Sequence, residues 1–238
     1  MLIGFSTDKG RNRASNQDSG MASSEGRFLA VADGLGGHSG GAEASGTAIG
    51  LFNMRAGGIG SLEDMKAFME DANSAILRMA DEDPELKGMG TTMTAAVIKA
   101  GKALVAHVGD SRAYLVRDGS AKQLTSDHSL AGQLVQSGFL KAEEASTHPG
   151  RYAVVRCLGA SKELEPELIE AELEPDDVMV LCTDGFWEHV NEVEIAERFS
   201  VTADLMSVCE DLMRLANIRG GEDNITVVAA LIDESDVR

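Results

Sequence analysis

Seven stretches of the chain are apolar over strand length and end in turn chemistry, at 27–32, 92–99, 103–108, 112–116, 167–173, 178–183 and 226–232. Several follow one another through short links ("KAGKA", "VGDS", "RDGS"), and such links suit antiparallel pairing. Helical periodicity takes over at 61–81, where Leu62, Met65, Phe68, Met69, Ala72, Ile76 and Met79 share one face. It returns at 203–218 with Leu205, Val208, Cys209, Leu212 and Leu215, and shorter helices are expected over 41–54, 129–138 and 192–199. Blocks of strands set apart by blocks of helices predict an α+β fold, antiparallel sheets with helices packed outside, not a doubly wound parallel sheet. No linker, repeat or low-complexity tract divides the 238 residues, so one domain is expected.

The strands end in a particular way. "RFLAVADG" stops at Asp33, "ALVAHVGD" at Asp110 and "DVMVLCTDG" at Asp184, whereas Asp223 opens the strand in "GGEDNITVVAALI". One such aspartate is ordinarily a turn residue. Four at the rims of apolar strands are harder to explain as turns, because clustered carboxylates repel unless cations neutralise them. Hard divalent ions such as Mg²⁺ or Mn²⁺ prefer an all-oxygen environment of carboxylate, backbone carbonyl and water. Asp33 and Gly34 offer both protein ligand types at one point. Five of the eight residues after Asp33 are glycine, which lets backbone approach a ligand closely. A dinucleotide loop does not fit, since Ser39 stands where G-x-G-x-x-G needs its third glycine.

Composition narrows the function classes. With 39 acids against 21 bases the formal charge is −18, which disfavours nucleic acid and anionic lipid as partners. A phosphate-bearing substrate therefore needs positive charge supplied locally, by an arginine or by metal ions. Cys157, Cys182 and Cys209 are odd in number and widely spaced, as reduced cytosolic thiols are. The N-terminus lacks a signal-peptide pattern, and no apolar run approaches the ~18 residues of a membrane span. A soluble, cytoplasmic protein is expected.

Seven motifs, "RNRASNQD", "VADGLGGHSGG", "GTTMTAAVI", "AHVGDSRAYLVRDG", "LTSDHSL", "LCTDGFWE" and "GGEDNITVV", spread in this order over nearly the whole chain. In that set and order the sequence resembles the PPM (type 2C) metal-dependent Ser/Thr protein phosphatases, in their compact bacterial form. The resemblance implies two antiparallel sheets stacked as a sandwich, flanked by helices on both faces, with residues 1–238 as one catalytic domain. It also implies hydrolysis of phosphoserine and phosphothreonine by direct attack of a hydroxide bridging two metal ions, with two to three Mn²⁺ or Mg²⁺ ions bound. The absence of a Cys-x5-Arg signature agrees with attack by water and not by a cysteine.

By the same resemblance Asp33 bridges the two ions, Gly34 gives one of them its carbonyl, and Asp184 and Asp223 bind the other. Asp110 matches a third-metal aspartate, with Glu188 as an additional ligand there. Asp18 lies behind the ions, hydrogen-bonded to bound water, and Asn224 supports the centre. Gln17 stands where many relatives carry Glu. Arg13 is the phosphate clamp, since a guanidinium matches phosphate oxygens two at a time. Animal relatives place His directly after Asp-Gly, where this chain has Leu35. His38 is the candidate proton donor, beside a packing role in the glycine loop and donation by metal-bound water, and the donor stays unassigned.

Segment 127–158 resembles the family's flap. Expected partners are phosphoproteins, among them a cognate Ser/Thr kinase, with the enzyme a monomer. The competing functions are a non-catalytic regulatory module of the same fold and a phosphatase of a partner-switching stress pathway. Degenerate members lose metal aspartates, and Asp33, Asp184 and Asp223 are all present here.

Overall fold

In the computed structural model, residues 1–36, 40–145, 147–200 and 204–237 are described. The chain opens with β1 (Leu2–Asp8), β2 (Ser19–Ser23), β3 (Phe28–Ala32) and the two-residue β4 (Gly34–Leu35). Two long helices follow, α1 (Gly40–Arg55) and α2 (Leu62–Glu82), then β5 (Gly90–Thr91), β6 (Met93–Lys99) and β7 (Lys102–Val108). Next come β8 (Arg112–Arg117), β9 (Ser120–Gln123), and the short helices α3 (Leu130–Gln136) and α4 (Ala142–Ala145). The last part runs β10 (Glu167–Glu172), β11 (Val178–Cys182), α5 (Asp184–Trp187), α6 (Glu192–Phe199), α7 (Leu205–Arg219) and β12 (Ile225–Leu231).

Two five-stranded antiparallel sheets form, in the orders β1-β12-β11-β8-β9 and β10-β7-β6-β3-β2. Strand β3 is buried on both faces: Leu29 and Val31 point to the partner sheet, and Phe28, Ala30 and Ala32 to the helices. That is why its apolar run does not alternate. Leu29, Val31, Val105, Met179, Leu181 and Val228 fill the space between the sheets. Helices α1 and α2 cover the β3 sheet through Phe52, Met65, Phe68 and Ile76. On the opposite face α6 and α7 cover the β11 sheet through Ile195, Phe199, Cys209 and Leu212. The expected sandwich with helices on both faces is what forms.

Besides the two-residue β4 and β5, three strands of the large sheets escape the pattern of the sequence. β1 is partly buried, β2 is the small and polar Ser-Gly-Met-Ala-Ser, and β9 is the half-exposed Ser-Ala-Lys-Gln. Each lies at the edge of a sheet, where one neighbour and partial burial suffice. The last long helix begins at Leu205; the expected start at residue 203 lies outside the described residues.

Antiparallel register brings the acidic strand ends together. Ser19 faces Ala32, so the start of β2 lies beside the end of β3. Val227 faces Cys182, so the start of β12 lies beside the end of β11. Segment 127–158 leaves this same end and is closed at its base. There the Leu130 N–H donates to the Ala153 carbonyl (2.9 Å) and the Val155 N–H to that of His128 (2.9 Å).

Candidate metal centre

At that end a cavity of about 360 Å³ is lined by Arg13, Gln17, Asp33, Gly34, Asp110, Asp184, Asp223 and Asn224, with Leu35, Gly36, Tyr152 and Val154 completing the wall. Four aspartates that are 190 residues apart at the extremes share one small space. Asp33 and Asp110 are held through their own peptide groups. The Asp33 N–H donates to Thr92 Oγ1 (2.9 Å), and its carbonyl accepts from Thr91 Oγ1 (2.8 Å) and the Thr92 N–H (2.9 Å). Thr92 Oγ1 also meets Ser111 Oγ at 2.7 Å, next to Asp110. The Asp110 carbonyl accepts from Trp187 Nε1 at 2.9 Å.

Gly34 is required sterically. A Cβ there would lie 2.3 Å from the Gly41 carbonyl oxygen and 2.6 Å from that of Gln17, closer than real atoms approach. Asn224 ties down the loop that carries Arg13. Its Nδ2 donates to the carbonyls of Lys9 (2.8 Å) and Ser15 (3.0 Å), and its Oδ1 accepts the Gln17 N–H (2.8 Å). The loop thereby delivers Arg13 to the rim, where Nη2 donates to Asp223 Oδ2 at 2.5 Å.

Asp18 sits behind the cavity, buried, with Oδ2 accepting from Thr183 Oγ1 at 2.8 Å. Thr183 Oγ1 in turn accepts the Thr226 N–H at 3.0 Å. The other oxygen, Asp18 Oδ1, is buried with no hydrogen-bond partner, and so is Asp184 Oδ1. Unsatisfied buried carboxylate oxygens are costly in an ordinary interior. The protonation energetics carry the same strain. Burial, then Asp18 and Asp184 nearby, holds the Asp33 carboxyl well above its ordinary value. Burial, then Asp184, does the same to Asp110. Asp18 is pushed up to about 7, by burial first and by Asp184 and Asp223 next, against the hydrogen bonds from Thr226 and Thr183. Asp184 is raised to about 6 by burial and Asp223. Crowded, dehydrated, under-bonded carboxylates are the donor set of a hard cation. On this ground the residues fit a Mg²⁺ or Mn²⁺ centre.

The other expected residues divide. Glu188 is absent from the described lining of this cavity; it lies one helical turn beyond Asp184, with Oε1 buried and 3.7 Å from Arg151 Nε. His38 lies outside the described residues. Among residues the sequence did not single out, Thr92, Thr183 and Trp187 hold the backbone and the rear of the site. The signals were thin: a hydroxyl just before Asp184 and the single tryptophan of the chain.

A second histidine-bearing cluster is not built for a cation. His107, His128 and Glu167 approach within 4.8 Å, but their polar atoms are engaged. His107 Nδ1 meets Thr94 Oγ1 (2.8 Å) and Nε2 the Ser126 carbonyl (3.2 Å). His128 Nδ1 accepts the Gly109 N–H (3.2 Å), and both Glu167 oxygens accept from Ser126.

Comparison with known proteins agrees with this architecture. The protein phosphatase 2C family model matches residues 7–225. Serine/threonine protein phosphatase PstP of Mycobacterium tuberculosis is 38% identical over 97% of this chain, which spans only 45% of that protein's length. Serine/threonine phosphatase stp of Listeria welshimeri is 33% identical, with 94% of this chain and 93% of that one covered. A crystal structure of the Mycobacterium tuberculosis phosphatase superposes with a TM-score of 0.90 at 36% identity, covering 98% of this chain and 100% of that one. A structure of the PstP catalytic domain in complex with two manganese ions gives a TM-score of 0.86 at 34% identity, covering 98% and 99%. By family match, relatives and fold together, this chain belongs to the protein phosphatase 2C family.

Proposed function

We propose that the protein is a metal-dependent protein serine/threonine phosphatase. The observation that carries this is the meeting of Asp33, Asp110, Asp184 and Asp223 in one cavity with an arginine at its rim and Asp18 behind. Asp33, the Gly34 carbonyl, Asp184 and Asp223 are the residues that would hold two Mn²⁺ or Mg²⁺ ions, and Asp110 would serve a third. Such a pair supplies hydroxide from water near neutral pH and neutralises charge on a phosphoryl group.

The chain's own residues do the rest. Arg13, at the mouth and half exposed, exchanges its bond to Asp223 for the phosphoryl oxygens when substrate enters. Asn224 keeps the Arg13 loop at the distance that exchange requires. Asp18, held by Thr183, orients water behind the aspartates. Hydrolysis forms one bond from a water oxygen to phosphorus and breaks the bond to the serine or threonine oxygen, which takes up a proton. Segment 127–158 forms one wall through Tyr152 and Val154, which supports its role as a flap over the substrate.

We further read residues 1–238 as one catalytic unit acting as a cytoplasmic monomer on phosphoproteins, a cognate Ser/Thr kinase included. No described helix is long and apolar enough to cross a membrane. The test is turnover of phosphothreonine and phosphoserine peptides by purified protein, with Mn²⁺ and with chelator. Activity that survives complete chelation refutes the reading. A purely regulatory module would have no reason to keep all four cavity aspartates.

A further inference from the structure

Beside the aspartate cavity lies a second, larger one of about 650 Å³, walled by Arg112, Tyr114, Arg151, Trp187 and the stretch Glu188–Glu194 apart from His189. We propose that it is a substrate subsite, which takes the side chain of a lysine or arginine flanking the phosphorylated residue. The proposal rests on the phosphatase reading above and adds a determinant of which phosphoproteins are chosen.

Continuity places it. Arg151 lines this cavity and its neighbour Tyr152 lines the catalytic one. Asp184 lines the catalytic cavity and Glu188, four residues later and about 6 Å along a helix axis, lines this one. An extended peptide advances about 3.3–3.6 Å per residue, so a residue near the phosphorylated one reaches the second cavity.

Charge decides the occupant. Two arginines in the wall suggest an anion at first sight, but both are already matched. Arg112 donates to both oxygens of Asp127 (2.9 and 2.7 Å) and lies 3.5 Å over the Trp187 ring. Arg151 faces Glu188. On the acidic side, Glu194 is taken by Arg219 through two bonds of 2.7 and 2.6 Å. Glu192 is exposed and pairs with no cation among the described residues. The start of α6 adds no pull on an anion, since Asn191 and Glu194 already close a capping box there. What remains is the exposed carboxylate of Glu192 on a wall shared with the apolar side chains of Tyr114, Trp187, Val190 and Val193, the last 66% exposed. A long aliphatic stem with a cationic head fits both parts.

The experiment compares phosphothreonine peptides that differ only in carrying Arg or Glu at each position beside the phosphorylated residue, with p-nitrophenyl phosphate as the flank-free control. For the wild-type protein, kcat/KM at one or two positions is expected about tenfold higher with Arg. Glu192→Lys, on an exposed site, is expected to abolish or invert that ratio and leave p-nitrophenyl phosphate turnover unchanged. Val193→Asn is expected to lower the Arg-flanked value alone, by removing the stem's contact. Equal values for the two wild-type peptides, a preference for Glu, or a preference for Arg that survives Glu192→Lys would each overturn the subsite while the phosphatase reading stands. A protein that turns over neither peptide nor p-nitrophenyl phosphate overturns both.

Discussion

Cation binding by this protein should release protons, and its strength should climb with pH through the range 6–7. The cause is the set of raised carboxyls. At pH 6 Asp18, with its value near 7, is mostly protonated, and Asp184, near 6, is about half so. Asp33 and Asp110 are displaced in the same direction. An acid whose value is raised carries its proton below that value, and a cation must expel it. Affinity is therefore full above the raised values and falls as pH drops through them. One proton displaced makes the affinity change about tenfold per pH unit, or about 1.4 kcal/mol. Between pH 6 and 7 at least that slope is expected. Titration calorimetry of chelator-stripped protein with Mn²⁺, in two buffers of different ionisation enthalpy, counts the protons directly. The buried histidines His107 and His128 are held down at about 3 and 4, so they stay neutral throughout the range and add nothing. Affinity flat from pH 6 to 7.5, with the same heat in both buffers, would refute the argument that the carboxylates are crowded for want of a cation.

Other consequences are simpler to test. Asp33→Ala and Asp223→Ala should each leave less than a tenth of wild-type turnover at saturating Mn²⁺, and phosphopeptide kinetics decides. Asp110→Ala should keep two tightly bound ions by calorimetry while losing much of its activity; loss of the tight ions would move Asp110 into the core of the centre. Arg13→Ala should raise KM for phosphopeptide, and an unchanged kcat/KM would make it an ordinary surface arginine. Thr183→Val removes a hydrogen bond to a carboxylate and leaves the buried Thr226 N–H unpaired, a loss of about 3 kcal/mol. At about 2–4 °C per kcal/mol for a chain of this size, melting should fall by roughly 6–12 °C, and Thr183→Ser should restore most of it.

Strands buried on both faces were legible because apolar residues dominate them: β3 and β11 carry no polar side chain, and β6, β7 and β12 carry a single polar residue each inside the apolar run. The edge strands were not, since Ser19–Ser23 becomes a strand only by pairing with Phe28–Ala32. The aspartates stood out for a related reason, as charges at the ends of largely apolar segments. Their supports did not. Thr183 looks like any strand threonine until Asp18, 165 residues away, is seen to lie against its hydroxyl. The proximity of Asn224 to the Lys9–Gln17 loop is equally a product of the fold and not of spacing. Glu188 illustrates the converse: four residues after Asp184, it lines the neighbouring cavity, while burial and then Asp184 still push its carboxyl up to about 7.

The cavity lies across a seam. Asp18, Asp33 and Asp110 extend from the β3 sheet, Asp184 and Asp223 from the β11 sheet, and the Thr183 hydroxyl is a strap between the two halves. The spacing of the carboxylates is therefore a measure of how the sheets are docked. A slide of one layer against the other by a fraction of an ångström leaves every strand intact and detunes the centre. Substitutions deep between the layers, at Val31, Leu181 or Val228, can then alter catalysis without touching a ligand. In the other direction, ions held by aspartates of both sheets would act as a rivet that resists shear of the whole sandwich.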